Sequence, residues 1–420
     1  MRRVPGVSVC AVRLYLRGGV HAEPLPGAGA LTARMLAEGT SARGWERLAA
    51  DLEDRGMALA THGTIEAHGL TLDALASDWE RALETAAEIA FESAFDPERF
   101  EWQRQQTLAE IESLADQPDV VAGWAFLEQL YHPHPSGRPA LGDPDSLRAL
   151  RVEDCARFHR DGLDRGVVLV VAGDVAEAAV ERRIEELFGG LAGAAAPCSA
   201  LPVPAGLTER RREVTVPSRD QAHLFLGHLT VDRYHPDLPA LEVLGVVLGS
   251  GDGLAGRIPN RVREEEGLAY SVQANAASGC GSAPGRLAVY VGTAEATAER
   301  AERAVREELE RLVGEGVEAD EVAAARSYLL GREPFRRETA RQWADLLAES
   351  LFYGLPYDDP EWTRAALERV DEAAITAAIR RHLRVEELRV TVGRPRGVAA
   401  GEEPPRPALA ADGGGRVVSE

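Results

Sequence analysis

The order of strand-like and helical segments in this chain occurs twice, and this repetition constrains the fold more than any other feature of the sequence. In each half, a strand is followed by helices, a further strand-like stretch, long helices and a final strand. The segments Arg55-Gly-Met-Ala-Leu-Ala-Thr61 and Glu266-Gly-Leu-Ala-Tyr-Ser-Val272 occupy equivalent places, each after a helix and before a strand. A duplicated unit of roughly 190 residues accounts for this repetition.

Hydrophobic periodicity defines the predicted elements of both halves. In the first half, strands are predicted at residues 8–16, 58–72 and 166–173, and long helices at 79–94 and from 97 to about 131. In the second half, strands are predicted at 221–229, 268–274, 286–292 and 388–393, and helices at 238–248, 294–314, 319–330, 337–353 and 371–383. The segments 268–274 and 286–292 have the spacing of a hairpin.

The best linker candidate is the stretch 189–205, which is rich in Gly, Ala and Pro. We therefore predict an α+β chain of two homologous α/β domains, residues 1–190 and 206–395, in each of which a sheet packs against helices. The remaining residues, 396–420, contain Glu-Glu-Pro-Pro and Gly-Gly-Gly and are predicted to be disordered.

The balance of charge narrows the possible partners. The 420 residues include 47 basic and 68 acidic side chains, so the formal net charge is −21. This charge argues against a nucleic-acid partner and is typical of a solvated acidic surface, or of a protein that binds a basic partner or peptide.

The cysteines and the apolar runs indicate the compartment. No Cys-x-x-Cys pair occurs, so the cysteines are interpreted as free thiols in a reducing environment; they are Cys10, Cys155, Cys198 and Cys280. No apolar run approaches the length of a membrane span, and none has the pattern of a secretory signal. We expect a cytoplasmic protein without a membrane partner.

Arg263 and Tyr270 are the ends of the segment Arg263-Glu-Glu-Glu-Gly-Leu-Ala-Tyr270, the best candidate for a functional site. Gly267 suits the left-handed cap at the end of a helix, and the residues after it form a strand-like pattern. This turn brings a guanidinium and a phenol close together, and such a pair can bind a peptide carbonyl. Spacing alone is also compatible with a surface arginine and a half-buried strand tyrosine.

Five segments resemble landmarks of the insulinase/pitrilysin family of zinc peptidases and together span nearly the entire chain. They are Leu36-Ala-Glu-Gly-Thr40, His134-Pro-Ser-Gly-Arg-Pro139, Val168-Leu-Val-Val-Ala-Gly-Asp174, Gly267-Leu-Ala-Tyr-Ser-Val272 and Tyr290-Val-Gly-Thr293. The resemblance implies two domains of the processing-peptidase type. It also implies that Arg263 and Tyr270 hydrogen-bond the substrate carbonyl and its oxyanion, opposite zinc held by a different domain.

The helix that carries zinc in active members of this family has a different composition in this chain. Active members carry His-x-x-Glu-His, in which two histidines bind zinc and the glutamate is the general base. The corresponding positions here are Ala30, Ala33 and Arg34. The alanines have no ligand atom, and a protonated guanidinium has no lone pair to donate and repels a cation.

Of the three zinc-ligand positions that the resemblance implies, only one carries the same residue type as in active members of the family. The third family ligand corresponds to Glu110, whereas the family's other acidic position, one helical stretch earlier, is Gln103. We therefore predict no metal at this place. We hypothesise that Glu110 forms an ion pair with Arg34, which replaces the metal link between the helices; a solvated Glu110 is equally compatible with the sequence.

The glycine-rich segment Gly251-Asp-Gly253-Leu-Ala-Gly256 formally satisfies Gly-x-Gly-x-x-Gly, a pattern found in phosphate-binding loops. A helical segment precedes it instead of a strand, which disfavours a dinucleotide site. The family resemblance implies that Gly249, Gly251 and Gly253 lie near the path of the peptide substrate, as a contact or hinge element.

The resemblance and the altered zinc helix together predict a non-catalytic subunit of a heterodimeric zinc metallopeptidase. Arg263 and Tyr270 then complete a site in a homologous subunit that carries the zinc, so no cofactor is expected in this chain. Peptides are expected to bind by adding a strand to a sheet edge. Two alternatives stay open: a non-proteolytic scaffold homologue, and a self-dimer that is a peptidase with an atypical metal site.

Overall fold

Two five-stranded sheets with the same strand order form the framework of the protein. The structure, a computed structural model, describes residues 1–191, 201–250 and 256–396. The strands of the first sheet are β1 (Arg2–Arg3), β2 (Val9–Arg17), β3 (Ala58–Gly63), β4 (Ala67–Leu75) and β5 (Val167–Gly173). Those of the second sheet are β6 (Arg211–Val216), β7 (Gln221–Leu229), β8 (Ala269–Ser278), β9 (Arg286–Ala294) and β10 (Arg389–Pro395).

Helices occupy most of the remaining chain. Those before β6 are α1 (Ala28–Met35), α2 (Trp45–Glu53), α3 (Trp79–Glu92), α4 (Pro97–Ala115), α5 (Pro118–Tyr131), α6 (Pro144–Ala149), α7 (Val152–Arg165) and α8 (Glu177–Phe188). Those after β6 are α9 (Leu238–Leu248), α10 (Arg257–Pro259), α11 (Ala298–Glu315), α12 (Ala319–Arg332), α13 (Ala340–Tyr353), α14 (Pro360–Glu368) and α15 (Glu372–His382). A π-helical turn, Asn260–Glu265, continues α10.

The two sheets are equivalent strand by strand. The first has the order β1-β5-β2-β4-β3 and the second β6-β10-β7-β9-β8. In both, the first strand pairs in parallel with the last strand in sequence, and the other pairs are antiparallel. The duplicated α+β plan predicted from the sequence is therefore confirmed, and β3 and β8 are equivalent edge strands.

Each sheet buries one face against helices of its own half. Alternate residues of β2, from Cys10 to Leu16, pack with α3 and α8 in the first half. In the second half, Ala222, Leu224 and Leu226 of β7 pack with α9, α11 and α15. The alternation of apolar residues along both strands explains this packing.

The opposite face of each sheet is covered by a helix from the other half. Helix α13 lies on β2 and β5 through residues four apart, which are Ala340, Ala344, Ala348 and Phe352. Helix α5 lies on β7 and β10 with the same spacing, through Ala122, Phe126 and Leu130. Small alanine side chains allow these helices to approach the sheets closely. Because each half contributes a helix that covers the sheet of the other half, this packing joins the two halves.

Several predicted boundaries change in the structure. The stretch 58–72, predicted as one strand, is the hairpin β3–β4, because Thr64–Ala67 form a turn in which Thr64 N–H donates to Ala67 O at 2.7 Å. The helical stretch from 97 to 131 is two helices, since Pro118 starts α5 after Gln117 leaves the helical conformation. The predicted hairpin of the second half is confirmed as β8–β9.

The domain boundaries 1–190 and 206–395 stay a prediction. Residues 192–200 of the proposed linker and all but Arg396 of the tail 396–420 lie outside the described residues. Within the described ranges, none of the helices combines the length and apolar composition needed to cross a bilayer.

Candidate functional site

The positions that correspond to the zinc helix lie on α1, which packs against α4 and the edge strand β3. Ala30 and Ala33 are buried, with 7% and 2% of their surfaces exposed. The approach of β3 is so close that a Cβ atom on Gly63 would lie 2.8 Å from the Cα atom of Ala30. Methyl groups and backbone therefore occupy the surface of α1 that faces β3.

Arg34 and Glu110 join α1 to α4 directly. Nη2 of Arg34 donates to Oε2 of Glu110, and both side chains are partly exposed. The ion pair hypothesised from the sequence is thus present. Because its carboxylate is engaged by a fixed positive charge, Glu110 is a poor ligand for a cation at this place.

A second polar contact between α1 and α4 involves Gln103, at the family's other acidic position. The buried Glu38, just after α1, accepts from Nε2 of Gln103 and from Nε of Arg99, both at 2.5 Å. The guanidinium of Arg99 also lies between two tryptophan rings, Trp45 and Trp102, at 4.4 Å from each. Gln103 therefore serves the packing of α4 against α1.

The donor set between these helices does not fit zinc. A catalytic zinc site needs three ligands with available lone pairs, usually imidazole and carboxylate groups. Ala30 and Ala33 offer none, Arg34 is a cation, and Glu110 is already paired with it. The residues at this place are therefore unsuited to metal-assisted chemistry.

Arg263 lies in the π-helical turn that continues α10, and this turn packs against β8. Its Nε donates to Glu264 Oε1 at 2.7 Å, and its side chain is 20% exposed. Gly267 follows with a φ of 62°, so the predicted left-handed conformation after the helical turn is confirmed. Turns of π geometry are frequent at functional sites because they re-orient side chains locally.

Tyr270 lies at an irregularity of the edge strand β8. Ala269 pairs with Thr293 and Ser271 pairs with Gly292, so Tyr270 is the extra residue of a β-bulge. The hydroxyl of Thr293 donates to Leu268 O at 2.6 Å and fixes the start of the strand. Bulges re-aim side chains, and Tyr270 is 91% exposed. The phenol is therefore held on an ordered strand and presented to solvent.

The predicted glycine element is described only in part. Gly249 ends α9 with a φ of 135° and is buried, and a Cβ atom there would lie 2.7 Å from Cδ of Pro259. This close approach explains the need for glycine at this position. Gly251 and Gly253 lie outside the described residues, and a substrate contact by this loop stays a prediction.

One cluster with the spacing of metal ligands was not predicted from the sequence. His235, Asp237 and His382 bring their ligand atoms within 4.8 Å of one another. Asp237, however, accepts from both guanidinium nitrogens of Arg381, at 2.8 and 2.9 Å, and from His382 at 2.7 Å. This arrangement is a neutralised hydrogen-bond network. The sequence places only His235 and Asp237 near each other, in His235-Pro-Asp237. It gives no indication that His382 joins them, because His382 is distant in the chain.

Comparison with known families finds matches in both halves of the chain. A model described as insulinase (peptidase family M16) matches residues 2–144. A second model, described as the peptidase M16 inactive domain, matches residues 163–329. Both belong to one family, and between them they cover most of the chain.

The similar proteins include both zinc proteases and a non-peptidase homologue. An uncharacterized zinc protease of Mycobacterium leprae is 29% identical over 305 residues, which are 72% of this chain and 67% of the relative. The non-peptidase homolog YmxG of Helicobacter pylori is 24% identical over 383 residues, which are 90% of this chain and 87% of the relative. The family thus includes relatives with either description.

Solved structures agree on the fold. The peptidase M16 inactive domain from Pseudomonas fluorescens has a TM-score of 0.86 at 23% identity, with 94% of each chain covered. A protease from Helicobacter pylori has a TM-score of 0.82 at 16% identity, with 94% of this chain and 96% of that chain covered. The duplicated fold, the matching family models and these relatives together show that the chain belongs to the M16 (insulinase) family of peptidases.

Proposed function

We propose that this chain is the non-catalytic subunit of a heterodimeric M16 peptidase and completes the active site of a homologous, zinc-bearing subunit. The observation that carries the proposal is an asymmetry between the two halves. The zinc positions of α1 hold Ala30, Ala33 and the paired Arg34, whereas the second half keeps Tyr270 exposed on an ordered edge strand.

The chemistry assigned to this chain is binding and charge stabilisation. The partner's zinc supplies the activated water of the reaction. A phenol hydroxyl and a guanidinium can donate hydrogen bonds to a peptide carbonyl, and these bonds strengthen as the oxygen becomes an oxyanion. Tyr270 is assigned the oxyanion contact, and Arg263 the substrate carbonyl.

The peptide path is assigned to a sheet edge. β3 and β8 are the terminal strands of their sheets at equivalent positions, so each has one side without a neighbouring strand of its sheet. An extended peptide can add to such an edge through main-chain hydrogen bonds, which need no particular side chains. The formal charge of −21 favours basic peptides. We assign the edge of β8 beside Tyr270 to substrate binding.

A similarity to the non-peptidase homolog of Helicobacter pylori supports the absence of independent peptidase activity in this chain. That description also fits a scaffold homologue without any role in proteolysis. The scaffold alternative predicts a complex whose cleavage rate does not depend on Arg263 or Tyr270.

Reconstitution tests the proposal. The purified chain is mixed with a homologous subunit that carries His-x-x-Glu-His, and cleavage of a fluorogenic basic peptide is measured for each subunit alone and for the mixture. A variant of the partner with its glutamate base changed to glutamine is the control for contaminating peptidases. Cleavage only by the mixture supports the proposal, and equal cleavage by the partner alone contradicts it.

Metal analysis tests the self-dimer alternative separately. The purified chain is dialysed against zinc and then against buffer, and retained zinc is measured together with peptide cleavage. Stoichiometric zinc and cleavage by this chain alone would replace the heterodimer proposal with a peptidase that has an atypical metal site.

A further inference from the structure

A cavity whose charged side chains are mainly positive is formed by residues outside the Arg263–Tyr270 segment. Its volume is about 470 Å³, and it lies where the end of α5, the stretch before β6, the end of β7 and the chain after α15 meet. Three arginines line it, Arg210, Arg384 and Arg389, against one carboxylate, Glu387. In a chain with a formal net charge of −21, this is a local reversal of sign.

Two of these arginines donate their hydrogen bonds to main-chain oxygens and not to carboxylates. Arg389 donates to the main-chain oxygens of Ala205, Leu207 and Glu209, and Arg210 donates to that of Glu386. In the part of the chain that the structure describes, neither guanidinium forms an ion pair. Carbonyl oxygens satisfy N–H groups but leave the positive charge uncompensated.

The nearest charges act on Arg389 in opposite directions. Burial, with a smaller effect of the neighbouring cation Arg210, lowers the pKa of the Arg389 guanidinium, and the carboxylate of Glu387 opposes this with a still smaller effect. Residues 189–208, which precede Glu209 and Arg210, include no acidic residue. Arg384 pairs with Glu387 at 3.3 Å, but both side chains are about half exposed, so this pair is weak.

The remaining polar groups of the cavity suit a ligand that accepts hydrogen bonds. Thr230 lines the cavity, and its buried hydroxyl has no partner among the described residues. His228 is held neutral by its contacts, since Nδ1 lies 2.9 Å from Leu229 O and Nε2 accepts from Arg384 N–H at 3.2 Å. The cavity therefore offers guanidinium groups and a hydroxyl, and little competing negative charge.

We propose that this cavity binds a small polyanion that carries phosphoryl groups. Guanidinium groups match phosphoryl oxygens because two parallel N–H donors can reach two oxygens. The volume lies within the range of cavities that bind small molecules. The ligand joins α5, which belongs to the first half, to β7 and β10 of the second half, so its binding stabilises the junction. This inference is independent of the proposed peptidase role.

Calorimetric titration of the full chain with inorganic pyrophosphate at constant ionic strength tests the proposal. Arg210→Gln and Arg384→Gln each remove one charge and are expected to weaken binding at least tenfold, because each loses a charge-assisted hydrogen bond. Arg380→Gln is the matched control, since Arg380 lies exposed on α15, shortly before Arg384 in the chain, and does not line the cavity. This control is expected to change the affinity less than twofold.

The outcomes that overturn the proposal are equally specific. They are the absence of binding at millimolar pyrophosphate, or an equal loss of affinity in Arg380→Gln and the two cavity variants. Citrate at the same ionic strength tests the ligand class, and citrate that binds as tightly as pyrophosphate contradicts the phosphoryl preference. Circular dichroism verifies that each variant is folded, and a rise in Tm with pyrophosphate in the wild type, absent in Arg384→Gln, supports binding at the junction.

Discussion

Arg34 on α1 forms an ion pair with Glu110 on α4, at positions that the family resemblance predicts to be those of two zinc ligands. This contact links the two helices directly.

Restoring the ligands at these positions is expected to restore zinc binding. The triple variant Ala30→His, Ala33→Glu and Arg34→His releases Glu110 from its ion pair and creates a three-ligand set. We expect stoichiometric zinc after dialysis, measured by elemental analysis. The same variant with Glu110→Gln is the control and should retain much less. A folded triple variant that retains no zinc would show that the backbone of α1 and α4 has also diverged.

The ion-pair network around the buried Arg13 is expected to contribute strongly to stability. Arg13 of β2 is 4% exposed and donates to Asp345 of α13 at 2.6 Å and to Asp73 of β4 at 3.0 Å. Arg13→Met should lower the free energy of unfolding by about 2–4 kcal/mol, because it leaves Asp73 without a buried partner. Arg341 also pairs with Asp73 and would still partly compensate this carboxylate in the variant. We therefore expect the loss of unfolding free energy to stay below the upper end of this range.

Urea denaturation measures this effect, and two variants provide a scale. Asp345→Asn should cost less than Arg13→Met, because the Asp345 side chain is 56% exposed and well screened. Arg47→Met removes a helix surface pair and should leave the free energy of unfolding nearly unchanged. If Arg13→Met proves no more destabilising than Arg47→Met, the buried Arg13–Asp73 pair does not contribute to the stability of the fold.

Buried histidines are expected to make the protein sensitive to acid. Burial, with a smaller effect of Arg13, lowers the pKa of His62 to about 4, and burial, with a smaller effect of His21, lowers the pKa of His134 to about 4. Between about pH 6.5 and 4 the unfolded chain then binds more protons than the folded protein, so stability falls as the pH falls through this window. Each such histidine contributes up to about 1.4 kcal/mol per pH unit.

The change His62→Gln isolates one of these contributions. His62 has a buried Nε2 without a hydrogen-bond partner and packs its ring against Tyr15. Its replacement should reduce the slope of unfolding free energy against pH between pH 6.5 and 5, as measured by urea denaturation at several pH values. Identical slopes for the variant and the wild type would show that His62 titrates alike in both states.

Much of the fold could be predicted from the sequence, because many strands and helices are marked by the pattern of apolar residues within them. The strand 221–229 was predicted with the bounds that β7 has, because Ala222, Leu224 and Leu226 recur at alternate positions. The two short strands β1 and β6 were not predicted, since each is paired at a sheet edge and its burial pattern is weak. Helix α7 was also missed, although its apolar face is well defined in the structure.

The periodicity of apolar residues could not predict which elements pack against each other over long sequence distances. The spacing of Ala340, Ala344 and Ala348 shows that one face of α13 is buried, but it cannot reveal that the face covers the sheet of the other half. The bulge at Tyr270 was likewise invisible, because strand register depends on the partner strand β9. By contrast, the Arg34–Glu110 pair could be hypothesised, since the family resemblance aligned the two positions.

The central claim is that Tyr270 acts in the active site of a partner subunit, and kcat of the reconstituted mixture tests it most directly. Tyr270→Phe should lower kcat on the order of a hundredfold with little change in KM, because the hydroxyl bonds the oxyanion of the transition state. Tyr234→Phe, which alters another exposed tyrosine, is the matched control and should leave kcat unchanged. Equal values of kcat for Tyr270→Phe, Tyr234→Phe and the wild-type chain would contradict the account.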